Sequence, residues 1–180
     1  SGDLYFALRV DLDTVDPNAL FGQTESGPIE AGNMKFEVQV ISEEEAEASE
    51  GRFVHSRGRL LDRIGVESTT KVEATRSAES VVVASRTDRR FDDHERFPNR
   101  WWTIERRGTS ESTGLPQPYV GGIGYAKLTQ LKDDPETVLV ELHFAFAEPT
   151  GWFEGAPILR SKFSLIAQDQ IRRLRRELAR

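Results

Sequence analysis

The 180-residue chain has no cysteine, which excludes a disulfide framework, a zinc–thiolate site and a thiol nucleophile. It also lacks any run that approaches about 18–20 apolar residues, the length of a membrane-spanning helix, and it shows no signal peptide. We therefore expect a soluble domain of unknown compartment, with room for a signal or anchor upstream of Ser1. The length fits a single domain over residues 1–180.

Charge is unevenly distributed along the sequence. The net charge is −6, yet residues 160–180 carry seven lysines and arginines against two acidic residues. The body of the chain is therefore acidic and its end is basic. This pattern argues against nucleic-acid binding, which favours a broad basic face.

Three segments show a strict alternation of apolar and polar residues, which is typical of half-buried β-strands. They lie at residues 4–12, 34–40 and 138–146. In the first segment Leu4 and Phe6 fall on one face, whereas Arg9 falls on the other. Such strands indicate an antiparallel sheet with one solvent-exposed face.

Less regular patterns predict further strands at residues 52–55, 70–75, 81–86, 100–106 and 123–131. The segment between the last of these and the strand at 138–146 contains Asp134 followed by Pro135. Aspartate and proline at adjacent positions favour a tight turn. We therefore expect a hairpin at this point.

Three other segments are interpreted from composition. Residues 109–120, rich in Ser, Gly and Pro, predict a long mobile loop. The acidic residues 43–50 predict a solvated loop or helical turn. Residues 16–21 predict a short helix with Asp16 as its N-cap.

The C-terminal segment predicts one long amphipathic helix. Glycine is absent after Gly155, and Pro157 suits a first helical turn. Apolar residues recur at helical spacing and form one stripe at Leu159, Phe163, Ile166, Ile171, Leu174 and Leu178. A helix of about 22 residues is roughly 33 Å long, which is enough to cross a sheet. The expected fold class is therefore α+β, with a curved antiparallel sheet gripping one long C-terminal helix.

The stretch from Tyr125 to the end of the chain has a recognisable order of residue types. It contains Phe146-Ala147-Glu148-Pro149, then Gly151-Trp152-Phe153, then the arginine cluster at 172–176. This order resembles the closing hairpin and gripping helix of the START-like helix-grip (SRPBCC) superfamily. The resemblance covers about a third of the chain. It implies a cavity between sheet and helix that accepts an apolar, lipid-like molecule.

Aromatic and aliphatic residues are expected to line this cavity. Trp101 and Trp102 are adjacent on a predicted strand, so they point to opposite faces. The expected cavity-lining residues are Trp101, Trp102, Tyr125, Phe144, Trp152, Phe153, Phe163 and Ile166. The competing interpretation is that the aromatic side chains simply pack in the core.

No combination of residues indicates catalysis, a metal or a cofactor. The three histidines, at positions 55, 94 and 143, are far apart in the sequence. Residues 92–95 include side chains that ligate metals, but consecutive residues rarely converge on one ion. The glycines at 121–124 lack the lysine and hydroxyl of a phosphate-binding loop, and no serine elbow is present. We therefore expect no catalytic residues, no metal and no cofactor.

Arginines are concentrated in the middle of the chain, at positions 86, 89, 90, 96, 100, 106 and 107. Arginine forks hold carboxylate or phosphate groups, so this run is compatible with an anionic ligand group or an acidic partner. Pairing with neighbouring acidic residues, such as Asp88 and Asp92, is the interpretation we favour.

Three functions follow as alternatives. The first is a non-catalytic module that binds or carries an apolar small molecule in the cavity. The second is a protein-interaction or assembly module with a filled core, and the third is a cyclase-like or hydrolase-like enzyme that uses the cavity. Membrane contact by the basic C-terminal segment is a weaker idea, because its apolar stripe is needed for the core. The sequence does not indicate an oligomeric state.

Overall fold

The computed structural model describes residues 1–17, 26–31, 34–46 and 51–155. Beyond residue 155 it describes six isolated positions, Ile158, Lys162, Gln168, Ile171, Arg172 and Arg176.

The regular structure of the described residues is a set of antiparallel strands. These are β1 (Gly2–Arg9), β2 (Gly27–Ala31), β3 (Met34–Ile41), β4 (Arg52–Leu60), β5 (Ile64–Arg76), β6 (Ser80–Thr87), β7 (Arg100–Arg107), β8 (Ser110–Thr113), β9 (Gln117–Pro118), β10 (Gly122–Gln130) and β11 (Thr137–Phe146). Short 3₁₀ turns cover Leu12–Thr14, Arg89–Phe91 and Trp152–Gly155.

All eleven strands belong to one sheet, whose main path runs β1-β11-β10-β6-β5-β4-β3-β2. Strand β5 is long enough to have two neighbours on one side. Its residues 70–76 pair with β6, and its residues 64–67 pair with β7. Strand β7 in turn pairs with β8 and β9.

The α+β prediction is wrong for the described part of the chain, whose regular structure is all-β. The described residues contain no helix of seven or more consecutive residues. The predicted C-terminal helix falls largely outside the described residues. The six described positions beyond 155 have helical backbone, but no two of them except Ile171 and Arg172 are adjacent. Helical spacing of apolar residues is a local signal, whereas the class of the described fold depends on strand pairing between distant segments.

Other sequence-based predictions have mixed outcomes. The hairpin is confirmed, since β10 and β11 pair in register and the Thr137 N–H donates to the Asp134 carbonyl at 2.9 Å. The loop predicted at 109–120 is wrong in part, because it contains β8 and β9. Within the acidic run, residues 43–46 form a turn; residues 47–50, and 18–21 of the predicted short helix, lie outside the described part.

The sheet has two faces of different character. One, here called the core face, carries Val54, Val81, Val83, Leu128 and Val140, all with an exposed fraction of 1% or less. Two apolar clusters form on it, and Ile171 packs against the first and Ile158 against the second. The opposite face is here called the polar face. A third cluster, with Ile41, Phe53, Phe91 and Phe97, covers one end of the polar face.

The described residues contain no helix that is long and apolar enough to cross a membrane.

Candidate ligand-binding groove

Two adjacent rows of side chains run across the polar face of β3, β4, β5 and β7. Strand register places one row in the order Glu37, Arg57, Glu67 and Arg100. The same register places the next row in the order Lys35, Arg59, Gly65 and Trp102. Side chains of directly paired residues lie on one face and are close enough to interact. The two rows therefore bring cations, carboxylates and one indole together.

These rows form the floor of a groove of about 710 Å³. One wall is Pro28 of β2, and the other is formed by Thr113, the last residue of β8, with Gly114 and Pro116. Four cations lie among the lining residues, at Lys35, Arg57, Arg59 and Arg100, against one carboxylate, at Glu37. Cations therefore outnumber carboxylates among the lining residues, on a chain whose net charge is −6.

The position of Trp102 depends on a glycine across from it. A Cβ at Gly65 would lie 2.1 Å from the indole Cε2 of Trp102, so only a residue without a side chain allows the ring to lie there. The guanidinium carbon of Arg57 is 5.7 Å from the centroid of the indole ring, a cation–π distance. The guanidinium of Arg57 and the indole of Trp102 therefore hold each other in position in the groove.

Glu67 lies beneath the arginines and is 2% exposed. Its Oε1 accepts a hydrogen bond from Arg100 Nε, and its Oε2 lies 3.5 Å from Arg57 Nε. Burial alone would raise the pKa of Glu67. The nearby His55, the hydrogen bond from Arg100 and the positive charges of Arg100 and Arg57 outweigh burial and hold this pKa below its usual value. Glu67 is therefore an ionised carboxylate flanked by two arginines, one on each neighbouring strand.

A hydrogen-bonded network buries polar groups next to Glu67. The Thr69 hydroxyl donates to the Phe97 carbonyl at 2.7 Å, so it accepts from His55 Nδ1, which is 2.9 Å away. Nε2 of the same imidazole faces Glu67 Oε2 at 3.8 Å. The Thr69 hydroxyl is fully buried and has both roles filled, so it is not available as a nucleophile.

Asn99 ties the loop between β6 and β7 onto this network. Its Oδ1 accepts from the Thr69 N–H at 2.8 Å. Its Nδ2 donates to the Asp88 carbonyl and to Asp92 Oδ1, each at 2.9 Å. The side chain is 1% exposed. Asn99 thereby fixes the loop whose Phe97 ring lies against His55, with centroids 5.5 Å apart.

The β7–β8 hairpin is fastened to the groove by an ion pair. The two terminal nitrogens of Arg59 donate to the two carboxylate oxygens of Glu111 at 2.8 and 2.9 Å. Arg106 adds a second cation 3.5 Å from Glu111. These contacts lower the pKa of Glu111, mainly through the hydrogen bond from Arg59. A bidentate pair of this kind fixes geometry as well as charge.

The residues expected to line an apolar cavity are distributed over both faces. Trp101 and Trp102 do lie on opposite faces, as predicted: Trp101 packs in the second apolar cluster and Trp102 lines the groove. Trp152 and Phe153 are 2% and 3% exposed in that same cluster. The Trp152 ring stacks on Tyr119 with centroids 5.7 Å apart.

The remaining expected positions are separated from this cluster. Tyr125 lies on the polar face, stacked on His143 with centroids 4.6 Å apart. Phe144 pairs with Gly2 and Gly124 and is half-buried. Phe163 and Ile166 lie outside the described residues.

Six of the seven arginines of the middle segment pair with acidic residues, as favoured. The pairs are Arg89 with Asp92, Arg90 with Asp88, Arg96 with Glu45, Arg100 with Glu67, Arg106 with Glu111 and Arg107 with Glu105. His94 has a structural role, because its Nδ1 accepts from the N–H groups of Arg96 and Phe97 at 3.2 and 3.1 Å. The described residues contain no cluster of three or more His, Asp or Glu side chains arranged to hold a metal ion.

Sequence reasoning missed most of the groove. Only Arg100 and Trp102 were singled out, whereas Lys35, Arg57, Arg59 and Glu67 were not. The signal that existed was the repeated basic residue at alternate positions of β4, Arg57 and Arg59, which places both on one face. Comparison with models of protein families and with curated proteins finds no match for this chain.

Proposed function

We propose that the chain is a non-catalytic binding module whose groove takes a small anion that carries a flat apolar group. Arg57 and Arg100 hold the anionic group, and Trp102 stacks on the flat part. The observation that carries the proposal is the placement of these three side chains together over one buried carboxylate, Glu67.

The two arginines are preorganised for an anion. Both contact Glu67 through Nε, which leaves the terminal nitrogens of each guanidinium to donate to a ligand. Their side chains are 64% and 41% exposed, so these donors are accessible from the groove. Because Glu67 already restricts both side chains, a ligand loses less entropy in ordering them.

The indole supplies the apolar part of the site. Planar rings favour offset stacking or edge contacts with aromatic side chains, and Pro28 and Pro116 extend the apolar lining around Trp102. Clefts of about 300–1,000 Å³ with apolar walls and few convergent polar groups are typical of small-molecule sites. The groove volume of about 710 Å³ falls within that range.

The arrangement favours binding over catalysis. A general base works best with a pKa near the working pH. Although burial raises the pKa of Glu67, its hydrogen bonds and cationic neighbours hold that pKa below the ordinary value. Both its oxygens face Arg57, Arg100 or His55. Glu67 therefore acts as an anchor for the arginines.

Calorimetric titration with 2-naphthyl phosphate tests this proposal, with 2-naphthol and inorganic phosphate as partial ligands. We expect saturable 1:1 binding of 2-naphthyl phosphate and weaker binding of each partial ligand. Arg57→Met removes the charge but keeps the aliphatic stem, and it should weaken binding about tenfold. The matched control is Arg89→Met, because Arg89 is 67% exposed, pairs with a carboxylate as Arg57 does, and lies outside the groove. Absence of binding, or equal losses in the two variants, would contradict the proposal.

Binding of an apolar ligand on the core face, beside Trp152, stays a second prediction. One observation favours it: the Trp152 indole N–H is buried with no hydrogen-bond acceptor among the described residues, and buried donors are rarely left without a partner. A ligand with one acceptor and an apolar body suits that position. Titration with a fatty acid should then perturb Trp152 and leave Trp102 unaffected; the reverse pattern would exclude this second site.

A further inference from the structure

Strand β1 forms one edge of the sheet. Among the described residues it pairs with β11 alone, over the eight residues from Gly2 to Arg9. An edge strand carries a row of unpaired N–H and C=O groups that serve as a template for another strand.

The outward-facing backbone groups of β1 are identified by a single hydrogen bond. The N–H of Val10 donates to the Glu136 carbonyl at 3.1 Å, toward the β11 side. Successive residues of an antiparallel strand direct their backbone groups to alternate sides. The N–H and C=O groups of Asp3, Tyr5, Ala7 and Arg9 therefore point away from β11, toward the open edge.

The side chains of the same four residues lie on the polar face and differ in charge and size. The Asp3 side chain is 63% exposed and uses one oxygen, Oδ1, to accept from His143 Nδ1 at 2.7 Å. Tyr5 is 59% exposed, and Ala7 and Arg9 are also exposed. Arg9 has no ion-pair partner among the described residues. A negative charge and a positive charge thus stand near opposite ends of the strand.

We propose that a second copy of this chain docks on β1, antiparallel and in the register that pairs residue 3 with residue 9 of its partner. A two-fold axis then passes beside Phe6. Asp3 faces Arg9 of the other copy twice, once on each side of the axis, and Tyr5 packs beside the small Ala7. The interface is isologous, so it closes at two subunits.

Backbone pairing and charge select this register together. In this register residues 3, 5, 7 and 9 pair only with one another, so each of these outward-facing pairs exchanges both backbone hydrogen bonds. Shifting the partner by two residues in one direction places Tyr5 against Tyr5, and in the other direction Ala7 against Ala7. Both shifts keep the backbone bonds but separate Asp3 from Arg9. Opposite charges directly across a strand pair are favourable, and like charges are unfavourable.

A charge-reversal experiment tests the proposal. Analytical ultracentrifugation of the wild type should show a monomer–dimer equilibrium. Asp3→Arg and Arg9→Asp should each raise the dimer dissociation constant about tenfold or more, because two attractive pairs become repulsive in each. An equimolar mixture of the two variants should restore dimerisation, since both arginines of the first variant then face the two aspartates of the second.

Matched controls come from the exposed turn between β10 and β11. Asp133→Arg and Lys132→Asp make the same charge changes at exposed positions outside β1, and neither should alter the dissociation constant. A wild type that stays monomeric at millimolar concentration overturns the proposal. So does a mixture of the two β1 variants that stays monomeric while the wild type dimerises.

Hydrogen exchange on the wild type gives a second test that does not depend on any variant folding. The amides of Tyr5, Ala7 and Arg9 should exchange more slowly as protein concentration rises, because docking pairs them. The amides of Lys132 and Asp133, in the exposed turn, should exchange at a rate independent of concentration. If the exchange rates of both sets of amides depend on protein concentration in the same way, docking at β1 is contradicted.

Discussion

Gly65 and Trp102 form a matched pair across β5 and β7: a Cβ at position 65 would lie 2.1 Å from the indole Cε2 and 2.3 Å from Nε1. The contact is made by rigid ring atoms, which cannot move aside without moving the whole indole. A groove built on this contact is therefore sensitive to a single added methyl group.

Gly65→Ala should displace Trp102 and weaken binding of 2-naphthyl phosphate about tenfold or more. Overpacking of this kind also reduces the free energy of unfolding, by about 1–3 kcal/mol. Calorimetry and urea unfolding measure the two effects. Gly27→Ala is the matched control, since a Cβ there meets nothing within 4 Å. Equal losses of binding and of unfolding free energy in the two variants would show that the indole does not lie on Gly65.

The two adjacent tryptophans should respond differently to truncation. Trp101 is 9% exposed in the second apolar cluster, so Trp101→Ala should reduce the free energy of unfolding by about 3–5 kcal/mol. Trp102→Ala should reduce it less, while lowering ligand affinity more. Urea unfolding and calorimetry on the same pair of variants separate the two roles. A larger stability loss for Trp102→Ala would reverse the assignment of faces.

Stability should fall in acid partly because of Glu67. Burial raises the pKa of this carboxyl, but the nearby His55, the hydrogen bond from Arg100 and the positive charges of Arg100 and Arg57 outweigh burial, so the folded pKa lies below the unfolded value. Its contribution is therefore complete above the unfolded pKa of a glutamate and is lost as pH falls through the lower folded pKa. Glu67→Gln should have a shallower loss of unfolding free energy over that acid range. Parallel curves for wild type and variant, measured by urea unfolding at a series of pH values, would contradict this.

Asn99→Ala should destabilise the protein by about 1–3 kcal/mol, because it leaves the buried Thr69 N–H without an acceptor. The variant should also speed hydrogen exchange in residues 88–99, which Asn99 fastens to β5 through its bonds to Asp88 and Asp92. Gln117→Ala, at an exposed amide in β9, is the control and should change neither quantity. Unaltered native-state hydrogen exchange over residues 88–99 would show that Asn99 does not fasten this loop to β5.

The sequence allowed prediction of the elements whose signal is local. Period-2 alternation located β3 and β11 to within a residue at most boundaries, and Asp134-Pro135 located the hairpin between β10 and β11. The opposite directions of Trp101 and Trp102 followed from strand geometry alone. In each case neighbouring residues determine the outcome.

Elements fixed by distant contacts were missed or cut short. Strand β5 was predicted only over 70–75, because its first half, Ile64–Ser68, alternates poorly and is strand through pairing with β4 and β7. In the period-2 pattern of β5, Glu67 occupies a polar-face position, where the pattern predicts an exposed side chain. Arg57 of β4 and Arg100 of β7 lie against Glu67, and a period-2 pattern carries no information about such contacts between strands. Charged groove residues were missed for the same reason.

The most direct test of the groove is to follow the three indole N–H resonances during titration with 2-naphthyl phosphate. The chain has three tryptophans, and they lie in two environments: Trp102 in the groove, Trp101 and Trp152 in the second apolar cluster. The account predicts a saturable shift of the Trp102 resonance, with those of Trp101 and Trp152 unchanged. Shifts confined to Trp101 and Trp152, or no shift at any of the three, would contradict it.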